Sequence, residues 1–197
     1  MSKVVRESID RFFDYDIHPE SRTIYAGCVY SDSEGSSGVE THMAERVIKA
    51  LHTFSATPDK PVKIILNSPG GNFYDGMAIY DAIKACPCHV TIEVFGQAMS
   101  MGSIILQAAD ERVMHPNAVI MIHDGEDSYS GHQRNFEMWA KEGLRIRKLM
   151  YEIYAEASEK DAKYWEKKCA FDCILPADEA VKEGLADSIF GVDKEAK

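Results

Sequence analysis

The stretch HVTIEVFGQAMSMGSIILQAA (89–109) decides how this chain is read. It opens on HVTIEVF (89–95), where Val90, Ile92 and Val94 alternate with other residues as a strand requires. It closes on SIILQAA (103–109), an apolar segment of helical composition. Between them lies GQAMSMGS (96–103), with Ser100 set between Met99 and Met101 among small residues. A hydroxyl entering a helix ordinarily caps it by accepting from a nearby backbone N–H. A sharp turn from strand to helix also exposes the hydroxyl and frees the N–H of the next residue, here Met101, to donate to an oxyanion. Gly96, Ala98 and Gly102 leave room for a substrate backbone to come close.

Outward from this segment, strands and helices alternate. TIYAGCVY (23–30) reads as a strand, and SDSEGSSG (31–38) is the clearest loop. VETHMAERVIKALHTF (39–54) carries Met43, Val47, Leu51 and Phe54 at helical spacing. The strand VKIIL runs into Asn67-Ser68-Pro69-Gly70-Gly71, and NFYDGMAIYDAIKAC (72–86) follows as a helix with Met77, Tyr80, Ile83 and Lys84 in a three-four rhythm. AVIMIH (118–123) is a fourth strand, and GEDSYSG is a loop. Residues 132–158 form a long helix with Phe136, Trp139, Leu144, Ile146, Met150, Ile153 and Tyr154 among its charges. A shorter helix (KDAKYWEKKCA) and the segment PADEAVKEGLADSIF close the chain, with Pro176 suited to a first helical position. Residues 1–20 are charged and mixed, with a short helix expected at VRESIDRFF. This order predicts an α/β domain with a mainly parallel sheet, in which chemistry gathers at the carboxyl ends of strands.

Composition narrows the function. The 197 residues carry a net charge of −10, a surface that repels phosphate backbones and argues against nucleic acid as a partner. The closest basic cluster, RIRK (145–148), falls in a helix and reads as a solvated face. The longest apolar runs are far too short to cross a bilayer, and MSKVVRESIDRFF has charges where a signal peptide needs an apolar stretch. The expectation is a cytoplasmic protein with no membrane partner. Cys28, Cys86, Cys88, Cys169 and Cys173 lack the two-residue gap of zinc knuckles and read as reduced, buried or incidental thiols.

Three positions beyond predicted strands fall on one edge of such a sheet. Ser100 is a candidate nucleophile. The glycines of SPGG (68–71) offer backbone N–H groups at a helix N-terminus, so Gly71 becomes a second oxyanion donor beside Met101. His123 ends AVIMIH, and an imidazole is the side chain whose ordinary pKa suits a general base near neutrality. The carboxylate that would orient it is open among Asp124, Asp127, Asp161, Asp172 and Asp178.

With these residues in hand, the chain resembles the Clp protease proteolytic-subunit family of serine peptidases, as a divergent member. The segments that carry the resemblance are NSPGGNFYDGMAIYDAI, GQAMSMGSIILQAA, AVIMIH, AKEGLRIRKLMYEIYAE and FDCILPADEAVKEGLADSI, in that order from about Thr23 to Phe190. The resemblance implies a crotonase-like α/β fold of repeated β-β-α units, with helix 132–158 as a projecting handle. It implies Ser100 as nucleophile, His123 as base, Asp172 as the orienting acid, and Gly71 and Met101 as oxyanion-hole donors. It further implies two stacked rings, each of seven subunits, that enclose the serines and admit unfolded polypeptides. Residues 1–20 do not closely resemble the family's pore-loop segment and are read as an N-terminal segment for pore or partner contact, with residues 21–197 as the peptidase domain. The subunit would hold no cofactor, ATP entering only through a partner AAA+ unfoldase.

The chain departs from the family's pattern at several points. Asp124-Gly125-Glu126-Asp127-Ser128 stands where the family usually has Gln-Pro and a glycine-rich strand, which puts a charge beside the base. Lys63 and Ala85 stand where the family places aromatic residues that dock its ATPase. Two other readings compete with the peptidase: a catalytically silent ring subunit, and a crotonase-type acyl-CoA enzyme sharing the fold and an oxyanion hole.

Overall fold

A computed structural model of the chain describes residues 15–27, 38–126 and 128–192. In chain order its strands are β1 (Ile17–His18), β2 (Thr23–Gly27), β3 (Val62–Ser68), β4 (Val90–Met99), β5 (Glu111–Met114), β6 (Val119–Ile122), β7 (Cys173–Pro176) and β8 (Ser188–Ile189). The helices are α1 (Thr41–Phe54), α2 (Phe73–Ala85), α3 (Met101–Leu106), α4 (Phe136–Ala157), α5 (Ala162–Cys169) and α6 (Ala177–Glu183). The helix expected at VRESIDRFF, the end of the strand TIYAGCVY, most of the loop SDSEGSSG, and Cys28 and Asp127 lie outside the described residues.

The strands form one mixed sheet in the order β1-β2-β3-β4-β5-β8, parallel from β2 to β8. The α/β class with a mainly parallel sheet is as the alternation of elements predicts. β1 adds antiparallel to β2. One face, bearing Val62, Ile64 and Leu66 of β3 and Val90, Ile92 and Val94 of β4, is fully buried with Val47, Leu51 and Phe54 of α1 and Ile79 and Ile83 of α2. On the opposite face Thr91 and Glu93 are half-buried, and Lys63 and Phe95 are exposed. Parallel sheets are normally covered on both faces, so this bare face is unusual for a finished unit.

Several boundaries differ from the sequence reading. β4 does not stop at Phe95 but runs on to Met99. On its β3 side the pairing shifts from Leu66↔Val94 to Ser68↔Ala98, which inserts two extra residues into β4. Gly96, at φ 71°, takes the left-handed turn that this bulge needs. Beyond the bulge β4 leaves β5 and pairs instead with β6, through Gln97↔Val119, Ala98↔Ile120 and Met99↔Met121. In α2 the buried face is Gly76, Ile79 and Ile83, whereas Met77 and Tyr80 are half-buried and Lys84 is exposed. Gly76 is what lets that face close, because a Cβ there would sit 2.2 Å from Met101 Cγ. The long helix starts later than expected, at Phe136, after a 3₁₀ turn at Gln133–Asn135.

Candidate active site

Three strand registers assemble the site. β4 delivers Ser100 immediately after Met99, and the Ser100 N–H donates to the Met121 carbonyl of β6 at 2.8 Å. β6 then ends at Ile122, which pairs with Cys173 of the antiparallel β7. The residues just outside that pair are His123 and Asp172. Backbone pairing therefore brings together residues 72 positions apart in the chain from Ser100 to Asp172. The side chains meet accordingly: His123 Nε2 lies 2.8 Å from Ser100 Oγ, and His123 Nδ1 lies 3.2 Å from Asp172 Oδ1. His123 is largely shielded at 19% side-chain exposure, while Asp172 is 71% exposed. Of the carboxylates left open by the sequence, Asp161 caps α5 by accepting from the Tyr164 N–H, and Asp178 sits in the first turn of α6. The Asp124 carboxylate accepts from Tyr151 OH and Arg147 Nη1.

The hydroxyl of Ser100 does not cap its helix. Ser100 has φ 50° and ψ −120°, and its side chain makes no capping bond to α3. A non-glycine residue held at positive φ is strained, and such strain concentrates at functional turns. The neighbouring structure holds it there. Ser103 Oγ donates to the Ser100 carbonyl at 2.6 Å, and Tyr154 OH sits 2.7 Å from the same Oγ. Because the single Ser103 proton goes to that carbonyl, Tyr154 is the donor in the second bond. Burial pushes the Tyr154 phenol well above its ordinary range, so it keeps that proton.

Gly70 and Gly71 press against the same turn, at φ 103° and 147°. A Cβ on Gly70 would lie 2.6 Å from Ser100 Cβ and 3.1 Å from the Met101 nitrogen. The turn is tied down on its far side by Val39 N–H to Gly70 O (2.7 Å) and Asn72 N–H to Val39 O (2.8 Å). Ser100, Met101 and Gly71 all line an open cleft of about 880 Å³ between the SPGG turn, the segment after His123, and α4. Phe73, Ile146 and Met150 give that cleft an apolar wall. Tyr74 OH donates to Glu142 across its rim at 3.0 Å. The Arg145 guanidinium, helped by Tyr74 and opposed by desolvation, holds the Glu142 carboxyl at about 2.

Three of the described thiols are held toward their protonated form. Burial, aided by the Asp124 charge, pushes Cys169 up to about 12, and burial likewise raises Cys88 and Cys173. Cys86, Cys88, Cys169 and Cys173 are all free thiols. Lys63 pairs with Glu93 on the bare sheet face, and Ala85 is exposed at the end of α2.

Residues 34–193 match the family described as Clp protease. Over 187 residues the chain is 32% identical to the ATP-dependent Clp protease proteolytic subunit of Deinococcus radiodurans, covering 92% of this chain and 87% of that protein. The chain belongs to the Clp protease family. It is accordingly a serine-type peptidase, and the acyl-CoA reading is set aside. Membership in the Clp protease family also implies an oligomeric assembly. Among the described residues no helix is long and apolar enough to cross a membrane.

Two supports of this Clp protease site are not legible as motifs. Ser68 is fully buried, and its Oγ accepts the Gly70 N–H at 3.2 Å, shaping the glycine turn from beneath. Ser103 supports the strained Ser100. Its place one turn into an otherwise apolar helix was the available signal, since a buried hydroxyl must find partners. Gly70→Ala is expected to cut peptide hydrolysis by about 10²-fold, through displacement of the Ser100 turn rather than unfolding. Initial rates, measured beside far-ultraviolet circular dichroism, check this; unaltered rates would mean that the turn absorbs the extra carbon.

Proposed function

We propose that this chain is a serine endopeptidase subunit working by Ser-His-Asp catalysis, with Ser100 as nucleophile, His123 as base and Asp172 as orienting acid. The observation that carries the reading is the imidazole bridging hydroxyl and carboxylate, 2.8 Å on one side and 3.2 Å on the other, at the mouth of a cleft. Asp172 accepts the Nδ1 proton and so leaves Nε2 as the acceptor for the hydroxyl. As Ser100 Oγ attacks the scissile carbonyl carbon, its proton passes to Nε2 and the carbonyl electrons move to oxygen. The N–H groups of Gly71 and Met101 hold that oxyanion. His123 then returns the proton to the departing amine as the C–N bond breaks, leaving an ester on Ser100. Water repeats the sequence to release the acid and restore the hydroxyl.

The substrate is an unfolded polypeptide or peptide, and the working particle is two stacked seven-membered rings. What supports assembly is the uncovered apolar surface: Phe136, Met138, Trp139 and Leu144 stand exposed on the first half of α4, and one face of a parallel sheet is bare. Residues 21–197 form the peptidase domain with 132–158 as its handle, and residues 1–20 serve pore or partner contact. The subunit itself needs no cofactor; ATP enters through a partner unfoldase, in keeping with the ATP-dependence in the name of the Deinococcus relative.

Labelling of the assembled protein by a fluorophosphonate, with Ser100→Ala as control, tests the chemistry. Labelling that vanishes only in the variant supports the reading; an intact particle that takes no label would make this a silent ring subunit. For the assembly, placing glutamates at Trp139 and Leu144 is expected to split the particle into single rings in sedimentation velocity. An unchanged sedimentation coefficient would remove α4 from the ring-to-ring contact.

A further inference from the structure

Helix α4 reaches the active site twice from one face. Tyr151 and Tyr154 are three residues apart, so they project from the same side of the helix. Tyr154 meets the Ser103 hydroxyl that steadies the nucleophile's turn. Tyr151 OH donates to Asp124 Oδ1 at 2.5 Å, and Arg147 Nη1, one helical turn earlier, donates to Asp124 Oδ2 at 3.3 Å. Asp124 is the residue directly after His123. Its backbone is held as well: the Asp124 N–H donates to the Cys169 carbonyl at 2.8 Å, at the end of α5 and three residues before Asp172.

The loop that carries the base is therefore fixed at three points immediately beyond the imidazole. Two are side chains of α4, and the third is the segment that leads to the acid. β6 itself ends at Ile122, so these bonds hold the chain where the ladder stops. The Tyr151 side of the latch is buried, whereas Asp124 and Arg147 are partly open at 26% and 42% side-chain exposure. Burial and the adjacent Asp124 carboxylate push the Tyr151 phenol above its ordinary range, so it remains a donor at any pH at which the enzyme works. A phenol that keeps its proton makes a strong and directional bond to an ionised carboxylate.

We propose that Tyr151 is a positioning residue for the reaction: through the Asp124 carboxylate, with Arg147 as second donor, it fixes His123 at the distance from Ser100 that proton transfer requires. Asp124 serves as the anchor of the base rather than as a second orienting acid. This inference rests on the Ser-His-Asp reading above.

Tyr151→Phe removes one oxygen and leaves the ring packing in place. Acting on geometry alone, it lowers kcat for a fluorogenic peptide by about tenfold with KM unchanged, since small misplacements of a reacting group are costly. It slows fluorophosphonate labelling of Ser100 by the same factor, while particle mass and thermal midpoint stay as in the parent. Asp124→Asn, which keeps the anchor's shape but weakens it, gives a similar loss. The double variant is no worse than the poorer single one, because both changes break one link. Parent-like kcat and labelling in Tyr151→Phe would overturn the inference, as would losses in the two single variants that multiply in the double. A variant that loses thermal stability without a change in kcat would mark Tyr151 as structural only. Ser100→Ala separates the two levels: if it retains hydrolysis, the underlying reading fails, whereas a dead Ser100→Ala beside a fully active Tyr151→Phe defeats the latch alone.

Discussion

Ser100→Ala lowers peptide turnover by about 10⁴–10⁶-fold and leaves the fold and the assembled particle intact. The size of the effect follows from what the alanine removes. In the proposed mechanism the hydroxyl forms the covalent intermediate, and burial pushes the Cys169 thiol up to about 12, away from that role. The change is small in structural terms. Ser100 makes no capping bond to α3, so its Oγ supports no helix. The turn is held through the backbone instead, by Ser100 N–H to Met121 O and by Ser103 Oγ to Ser100 O. Residual hydrolysis reflects the oxyanion donors and substrate binding alone. Steady-state kinetics on a fluorogenic peptide, with sedimentation of the same sample, measures both halves of the expectation. Turnover within tenfold of the parent would remove Ser100 from the chemistry.

Asp172→Asn produces the second large effect, a loss of about 10⁴-fold in kcat with assembly preserved. Asparagine fits the same space but offers an amide N–H where the carboxylate offered only acceptors. An amide N–H aimed at Nδ1 selects the tautomer with its proton on Nε2, and that nitrogen then has no lone pair for the Ser100 proton. The result is an intact site with a base of the wrong handedness for proton transfer. Because Asp172 is 71% exposed, its replacement buries no unpaired group and costs little stability. Kinetics and thermal denaturation together check this, and parent-like rates would shift the orienting role to another carboxylate.

The residues of the proposed site are more legible in the sequence than the scaffolding that holds them. Ser100, His123 and the SPGG turn were visible because each follows a strand, and their proximity is a direct consequence of sheet geometry. The residues alone leave the proposed orienting acid open. Asp172 follows a helix and precedes β7, a strand of only Cys173–Pro176, whose pairing with β6 has no local signature. β5 and β8 escaped notice for a related reason: at Glu111–Met114 and Ser188–Ile189 they are too short to show alternation. The run of β4 beyond Phe95 was hidden because Gly96 reads as a turn residue, when here it makes a bulge that sends the strand to a new neighbour. Asp124 drew attention for its place beside the base, yet its direction was set by Tyr151 and Arg147, more than twenty residues away and silent in any local pattern.

Since side chains alternate along a strand, inserting or deleting a single residue within β6 or β7 would turn His123 or Asp172 to the wrong side of the sheet. The same holds for β4 beyond its bulge. These strand ends are thereby closed to changes of length, although many substitutions would be tolerated in them. Growth and shortening are left to stretches outside this ladder, such as the irregular run from Ser128 to His132. Evolution is free to rebuild the approach to the cleft there without moving Ser100, His123 or Asp172.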